Sequence, residues 1–315
     1  MKHLKFISVV LILLLLASVT AGCKGEQKTT EETEAVIKVT DMTGREITLD
    51  KPAARIVALT ASDCEILYAL GAGDTLVGRG EYCDFPAEGL GVPSVQSGYE
   101  TNVEQIIALS PDVLLMSTMA QPKEQVDALE AAGIRVVVSD AKNIEDTYTA
   151  ISLIGALLGK DKEANTIVED MKATFKELSE NADGDGTKTV YFEVSPLVYG
   201  LWTAGDNTFM NELCEILKMK NAFSDVDGWG EISEEQVIER NPDYIVTISM
   251  YYGEGPTPTE EIMARQGWEN VTAVKTGAIL NLQNNELSRP APRLADGARL
   301  MYDFIYSASE QSNAA

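Results

Sequence analysis

The chain has 315 residues, with 25 Lys or Arg against 49 Asp or Glu, so its formal net charge is −24 at pH 7. Such an acidic surface repels nucleic acid, and no basic stripe interrupts it. The single histidine is His3, at the N-terminus, so we expect the remaining chain to have neither a histidine-ligated metal site nor histidine-based catalysis. We also expect no catalytic residue, no metal and no cofactor.

The N-terminus has the pattern of an export signal. Two lysines precede an apolar stretch over residues 6–17, which is too short to span a bilayer as a stable helix. Small residues then lead to Cys23, and this order resembles a bacterial lipoprotein signal that is cleaved before the Cys and lipidated on its thiol. An ordinary secretory signal with an incidental Cys is the alternative. We expect residues 1–22 to be the signal peptide and the polar residues 23–35 to be a flexible tether.

Residues 36–142 alternate predicted strands with predicted helices. The elements are a hairpin over 36–49, strands over 55–59, 75–78, 113–116 and 135–138, and helices over 63–70, 103–109 and 123–132. This alternation indicates a parallel, doubly wound sheet, so we expect an N-terminal α/β lobe. The run Gly71-Ala72-Gly73 follows a helix rather than a strand, so it predicts the turn that ends a helix and not a nucleotide-binding loop.

Residues 143–186 are predicted to be helical. A helix over 144–158 stops at Gly159, and residues 161–181 continue without Gly or Pro, with apolar residues at helical spacing. About twenty residues make a rod of roughly 30 Å. We expect this single long helix to connect two lobes and to allow only limited hinge motion.

A second α/β series over residues 187–315 predicts a C-terminal lobe. Its predicted elements are strands over 189–194, 244–248 and 278–282 and helices over 207–218, 234–240, 259–265 and 293–307. The fold class expected from the sequence is therefore α/β, with two doubly wound lobes joined by one long helix and a ligand cleft between the lobes.

A short pattern occurs once in each expected lobe. Residues 104–115 and 235–246 both predict a helix start, a Pro-Asp turn and a buried strand. Both helix starts fit a capping box, with Asn or Ser as the N-cap and Gln at the third helical position. Glu104 and Glu235 therefore stand in the first helical turn, where the helix dipole favours a carboxylate. The dipole alone would account for them, but the matched duplication favours docking of a partner.

Several large polar or aromatic side chains stand just after the predicted strands, where open α/β sheets bind ligands. The ligand-binding candidates are Arg79, Tyr82, Tyr99, Trp202, Trp229, Tyr251 and Arg289, with Tyr252 beside them. Aromatic side chains from both lobes suit a large, flat, amphipathic ligand in the cleft.

Besides Cys23 the chain contains three cysteines, without a C-x-x-C pair or zinc-ligand spacing. Cys64 and Cys83 could pair in an oxidising compartment. Buried free thiols are the favoured interpretation.

Four runs of sequence together resemble a known family. They cover residues 55–78, Tyr82-Cys-Asp-Phe-Pro86, residues 102–112 and Arg289-Pro-Ala-Pro-Arg-Leu-Ala-Asp-Gly297. In combination they are similar to the periplasmic-binding-protein family for cobalamin and ferric siderophores, from about residue 36 to residue 308. The resemblance implies two α/β lobes joined by one long helix, in agreement with the elements above.

The resemblance also implies a function and its partners. It implies a monomeric substrate-binding lipoprotein of an ABC importer, exported and lipid-anchored to the outer face of the cell membrane or its periplasmic side. It implies that Glu104 and Glu235 dock into arginine pockets of a permease dimer that carries ATPase subunits. Such a protein binds no nucleic acid and is not an enzyme, although a chelatase-like enzyme on a similar fold is a rival interpretation.

The ligand implied by the resemblance is a cobalamin-like corrinoid or an iron complex, with a ferric siderophore or haem as the alternative. Tyr82, Trp202 and Trp229 stand at the family's aromatic cleft positions. Arg79, Arg289 and Arg265 are the cleft arginines that a siderophore would use.

Overall fold

A computed structural model describes residues 36–97, 101–118, 123–282 and 286–313, with side chains described as far as residue 306. Cys23 and Tyr99 lie outside these residues, and so do the predictions made for them. One compact unit begins at Val36. Within the described ranges, no helix is both long enough and apolar enough to cross a membrane.

The first lobe is built on a five-stranded parallel sheet, which follows an antiparallel hairpin of β1 (Ile37–Thr40) and β2 (Glu46–Leu49). The sheet contains β3 (Ile56–Ala58), β4 (Leu76–Gly80), β5 (Ser94–Val95), β6 (Val113–Met116) and β7 (Arg135–Val138), in the order β5-β4-β3-β6-β7. Its helices are α1 (Ala61–Ala69), α2 (Val103–Leu109) and α3 (Lys123–Ala131). Since every pair in this sheet is parallel, all five strands end at one edge.

Two helices follow the first sheet, α4 (Ile144–Leu157) and α5 (Asp161–Asn181), and α5 is the long helix that joins the lobes. The chain reverses between them at Gly159, whose φ of +65° favours glycine. The long helix α5 has 21 residues, as predicted. The residues that it buries recur every three or four positions, as one apolar face requires: Ala164, Val168, Met171, Phe175 and Leu178.

The second lobe contains a six-stranded mixed sheet in the order β11-β9-β8-β12-β13, with β10 also paired to β8. The strands are β8 (Thr189–Ser195), β9 (Leu201–Ala204), β10 (Lys220–Asn221), β11 (Trp229–Ile232), β12 (Tyr244–Thr247) and β13 (Ile279–Asn281). The helices are α6 (Phe209–Ile216), α7 (Glu234–Arg240), α8 (Pro258–Met263), α9 (Thr272–Thr276) and α10 (Leu294–Asn313).

The antiparallel strand β9 was not predicted from the sequence. Only a short turn over residues 196–200 separates β8 from β9, and a parallel pair would need a crossover of a dozen or more residues. The chain therefore turns back along β8, and β11 returns antiparallel to β9. The expected fold class, two α/β lobes joined by a long helix, is confirmed.

One continuous apolar core runs through both lobes beneath α4 and α5. It includes Ile56 and Val113 of the first sheet, Val168 and Phe175 of α5, and Phe192 of the second sheet. Alternate residues of the strands point to opposite faces, so Val57 packs into a separate core on the far face of the first sheet. Because the lobes share one core, rotation of one lobe against the other would expose apolar surface.

Candidate functional site

The two lobes meet across the carboxyl ends of their parallel strands, here called the cleft edge. Arg289, which follows β13, donates to Glu65 Oε1 at 2.9 Å and to Asp84 Oδ1 at 2.6 Å. Glu65 stands on α1 after β3, and Asp84 follows β4, so these ion pairs cross from one lobe to the other. Arg293, near the start of α10, joins them with bonds of 2.6 and 2.9 Å to the two oxygens of Glu65.

The position of Arg289 differs from that expected of a ligand contact. Its side chain is 8% exposed and the Glu65 side chain 2% exposed. Burial by itself would lower the pKa of Arg289, but its hydrogen bonds to Glu65 and Asp84 raise that pKa above the ordinary value. The guanidinium is thus held between two carboxylates and ties the lobes together.

Trp202 and Trp229 lie within strands β9 and β11, not after strands as the sequence suggested. In the ladder Trp202 is opposite Glu231, and Ala204 is opposite Trp229. The two indoles are therefore diagonal neighbours on one face of the sheet, within reach of each other, and Glu231 is on the same face, directly opposite Trp202 and two residues after Trp229. We call Trp202, Trp229 and Glu231 the tryptophan face.

The tryptophan face is open to solvent and borders the junction of the lobes. The two tryptophans are 40% and 41% exposed. The Phe209 ring packs edge-on against Trp229 with its centroid 5.7 Å away, and the Phe209 N–H donates to the carbonyl of Lys142 in the first lobe. Two large exposed indoles on one face are unusual for a soluble protein, and such patches mark binding sites.

Exposed aromatic side chains also stand on the loops at the cleft edge. Tyr82, after β4, is 78% exposed, and Tyr252, after β12, is 84% exposed. Tyr251 is half-buried, and its hydroxyl donates to the carbonyl of Gly255 at 3.4 Å. Tyr199, after β8, is 80% exposed and was not among the candidates named from the sequence. The apolar run that follows this buried strand could have indicated it.

A cavity of about 220 Å³ lies between the loops after β8 and β12. Its lining includes Leu197, Val198, Met250, Tyr251, Tyr252 and Glu261. The cavity is mainly apolar, with the two carboxylates of Glu254 and Glu261 in its lining, and it lies at the cleft edge of the second lobe.

Arg265, the other candidate arginine of the second lobe, lies below this cavity rather than in it. Its side chain is 2% exposed and donates to both oxygens of Glu193, at 2.6 and 3.0 Å. It also donates to both oxygens of Glu261, at 2.5 and 3.0 Å. Burial raises the pKa of Glu193 and the bonds from Arg265 oppose that rise. The Arg265 guanidinium therefore forms ion pairs with two carboxylates.

Arg79 shapes the loop that carries Tyr82. It is half-buried, and its Nη1 donates to the carbonyls of Gly80 and Cys83, each at 3.2 Å. Cys83 and Cys64 are buried free thiols, and both sulfurs donate to the Ala58 carbonyl at 3.8 Å. These contacts hold the loop against the end of β3.

Asp63 is a buried acid at the start of α1. Thr60 Oγ1 donates to its Oδ2 at 2.5 Å and also caps the helix by accepting from the Asp63 N–H at 3.2 Å. Oδ1 is buried without a hydrogen-bond partner in the described part of the chain. Burial raises the pKa of this carboxyl to about 6, against the lowering effect of the hydrogen bond from Thr60.

Glu104 and Glu235 are exposed in the first turns of α2 and α7. The capping box of α7 is complete, with Ser233 and Gln236 bonded reciprocally. In α2 only half of the box forms, because the Gln105 side chain accepts from the Gln96 N–H at 3.4 Å. In such sheets a helix starts at the edge where the preceding strand ends, so both glutamates lie at the cleft edge, one on each lobe.

Comparison with known proteins places these features in a family. Residues 56–286 match the family described as Periplasmic binding protein. The chain is 33% identical over 306 residues, 93% of its length and 95% of the relative, to the uncharacterized ABC transporter substrate-binding lipoprotein YvrC of Bacillus subtilis (strain 168). It is 24% identical over 262 residues, 83% of its length and 91% of the relative, to the vitamin B12-binding protein of Pectobacterium carotovorum subsp. carotovorum (strain PC1).

A solved structure is similar over most of the chain. The crystal structure of a possible iron-binding (periplasmic solute-binding) protein from Staphylococcus epidermidis ATCC 12228 has a TM-score of 0.68 and 32% sequence identity. The match covers 81% of this chain and 100% of that one. In the ranges that the structure describes, no group of three or more His, Cys, Asp or Glu side chains is placed to hold a metal ion.

Proposed function

The chain belongs to the periplasmic binding protein family and is a substrate-binding protein of an ABC transporter, and on that premise we propose that it captures a corrinoid or an iron complex between its lobes. A cobalamin-like corrinoid is the first candidate, because a vitamin B12-binding protein is among its relatives. A ferric siderophore or haem in the same role is the second, because the similar solved structure is described as possibly iron-binding.

The main support for this proposal is the exposed tryptophan face. Trp202 and Trp229 present two large aromatic surfaces side by side at the junction of the lobes. Aromatic side chains stack on flat ring systems and bury a large apolar area at small cost in side-chain entropy. The exposed Tyr82 and Tyr252 add contacts from both lobes, so a ligand larger than a single ring would be enclosed from two sides.

Glu104 and Glu235 are proposed to dock the protein on the two halves of a permease dimer, which works with ATPase subunits. Both are exposed, one on each lobe, at equivalent helix starts. Hydrogen bonds from its own backbone N–H and from Ser233 lower the pKa of Glu235, which keeps it ionised at neutral pH. An ionised carboxylate can form a charge-assisted, bidentate pair with an arginine.

The protein is further proposed to be exported as a monomer and held at the outer face of the cell membrane by lipid on Cys23. The leader pattern before Cys23 supports this, and so does the lipoprotein description of the YvrC relative. A Cys23→Ser variant should lose labelling by a fatty-acid analogue and should no longer partition with membranes. Unchanged labelling would contradict the anchor.

The ligand is tested directly by native mass spectrometry of the purified protein after incubation with cyanocobalamin, haemin and a panel of ferric siderophores. A stoichiometric one-to-one complex with a corrinoid or an iron complex is expected. A chelatase-like enzyme would instead convert its substrate, so product formation without a stable complex would contradict the proposal. The absence of any complex across the panel would also contradict it.

A further inference from the structure

The charge that the protein can present to a ligand follows from its lysines and arginines. Residues 98–100, 119–122, 283–285 and 307–315 contain neither Lys nor Arg. Every cationic side chain after residue 35 therefore lies in the described part of the chain. The cations available at the cleft edge can be identified one by one.

Three arginines near the cleft edge are already neutralised by carboxylates. Arg265 is paired with Glu193 and Glu261, Arg289 with Glu65 and Asp84, and Arg293 with Glu65 and Glu286. Their side chains are only 2%, 8% and 16% exposed, respectively. Removing one partner from a buried ion pair leaves an uncompensated charge, so these guanidinium groups do not swing out to meet a ligand.

Three other cations stand at this edge, and none forms a clamp. Lys123, at the start of α3, is exposed, and its ammonium is paired with Asp127 at 2.6 Å. Arg79 is half-buried with its Nη1 on two backbone carbonyls. Lys142 is exposed at the junction of the lobes, but a lone ammonium is a strongly hydrated point charge and lacks the two-pronged geometry of an arginine fork. Arg55, Arg135 and Lys188 precede or begin their strands, so they lie at the opposite edge of the sheets.

Carboxylates, in contrast, stand open at the cleft edge. Glu231 is exposed on the same face as Trp202, directly opposite it in the ladder. Glu81 and Glu254 are exposed on the loops that carry Tyr82 and Tyr252. A ligand that stacks on Trp202 must therefore lie beside the negative charge of Glu231.

We infer that the cleft selects an electrically neutral or cationic ligand and rejects polyanionic ones. This inference rests on the proposed function, since it concerns the ligand of the same cleft. Arg79 is the one cleft-edge arginine in the described part of the chain without a carboxylate partner, and its Nη1 is held by two backbone carbonyls. A ligand with several carboxylates or phenolates would lose its hydration beside Glu231 and could not pair all of its charges with this single arginine. A charge that is left unpaired after it loses its hydration disfavours binding. A ligand rimmed with amides or carrying a positive charge can instead donate hydrogen bonds to these carboxylates.

Direct titration of the purified protein with matched probes tests this inference. The neutral probes are cyanocobalamin and a ferric trihydroxamate, and the anionic probes are haemin and a ferric tris-catecholate. We expect at least one neutral probe to bind about 100-fold or more tightly than either anionic probe. An anionic probe that binds within about tenfold of the best neutral probe, or more tightly, would overturn the inference but leave the proposed function intact. No binding of any probe would overturn the proposed function itself, and the inference with it.

A charge-removing variant locates the source of the selectivity. Glu231→Gln keeps the size of the exposed side chain, and should narrow the ratio of neutral to anionic affinity by about fivefold or more. Glu239→Gln, on the exposed side of α7, is the matched control and should leave the ratio within about twofold of the unmodified protein. Equal ratios in the two variants would show that Glu231 does not cause the selectivity and would overturn this assignment.

Discussion

Asp112 and Asp243 hold equivalent places in the two lobes, and each fastens the start of a neighbouring strand. Each follows the proline that comes after a helix of 7 residues. Asp112 Oδ2 accepts from the N–H groups of Ala54 and Arg55, both at 2.9 Å, just before β3. Asp243 Oδ2 accepts from the N–H of Thr189 at 2.9 Å, at the start of β8. The Pro-Asp part of the repeated pattern thus has a structural role in both lobes.

Replacement of either aspartate should destabilise the fold. Asp112→Ala and Asp243→Ala would each leave backbone donors without their carboxylate, at a cost of about 1–2 kcal/mol in the free energy of unfolding. Urea unfolding of the purified variants measures this. Asp127→Ala, at an exposed helical site, is the control and should lower the free energy of unfolding clearly less. Stability equal to that of the control would contradict the strand-fastening role.

Loss of an indole from the tryptophan face should weaken ligand binding. Trp202→Ala should reduce the affinity by roughly 1–3 kcal/mol, since a packed aromatic anchor is lost. The chain has three tryptophans, and the third, Trp268, is fully buried. Binding of the ligand should therefore quench the tryptophan fluorescence of the unmodified protein. A Trp202→Phe, Trp229→Phe double variant should show much weaker quenching of its tryptophan fluorescence when a colourless ligand analogue binds.

Trp268→Phe is the matched control and should retain both the affinity and most of the quenching. If the affinity of Trp202→Ala and Trp229→Ala equals that of the unmodified protein for every corrinoid and iron complex, the tryptophan face is not the ligand site.

Asp63 should make stability depend on pH. Its pKa in the folded protein is about 6, above the ordinary value of 3.8, so the folded state keeps a proton that the unfolded state loses. Its contribution to stability is therefore present at low pH and is lost as the pH rises from about 4 to 6. Asp63→Asn should remove this dependence, and the difference in stability between variant and unmodified protein should change by about 2 kcal/mol between pH 4 and pH 7.

Urea unfolding at several pH values measures that difference, and all other titrating groups are common to both proteins. A difference that stays constant from pH 4 to pH 7 would contradict the burial of an ionisable Asp63.

The ion pairs of Arg289 should stabilise the protein without ligand. Arg289→Ala leaves the buried Glu65 with one partner fewer and should cost about 3 kcal/mol or more in the free energy of unfolding. Arg299→Ala removes an exposed pair with Glu177 and should cost much less. Thermal unfolding of both variants without ligand measures the difference. If the Arg289 variant is as stable as the Arg299 control but has lost ligand affinity, Arg289 contacts the ligand and does not stabilise the fold.

The sequence predicted the elements whose signal is local. The helix α5 was predictable because its buried residues repeat at helical spacing over 21 residues, and α7 because Ser233 and Gln236 form a capping box. Strands β9 and β11 have only four residues each and contain exposed Trp, Gly or Glu, so no alternation marked them. Strands of the same length, such as β6 and β7, were predicted because each contains a run of apolar residues, and β9 and β11 have no such run.

The partners of the arginines could not be predicted, because they depend on the tertiary approach of distant residues. Arg289 and Glu65 are separated by 224 positions in the chain, and Arg265 and Glu193 by 72. The sequence placed Arg289 after a strand and Arg265 at the end of a helix, but it could not tell a ligand contact from a buried ion pair.

Glu104 and Glu235 test the central claim, that the protein delivers its ligand by docking both lobes on a permease. The decisive measurement compares ligand uptake by cells with ligand affinity in vitro for a Glu104→Ala, Glu235→Ala double variant. Glu124→Ala, an exposed glutamate in the first turn of α3, controls for the loss of a helix-dipole charge. We predict that uptake is lost in the double variant and kept in the control, while ligand affinity stays within about twofold in both. Uptake by the double variant at the level of the unmodified protein, or loss of its ligand affinity, would contradict the account.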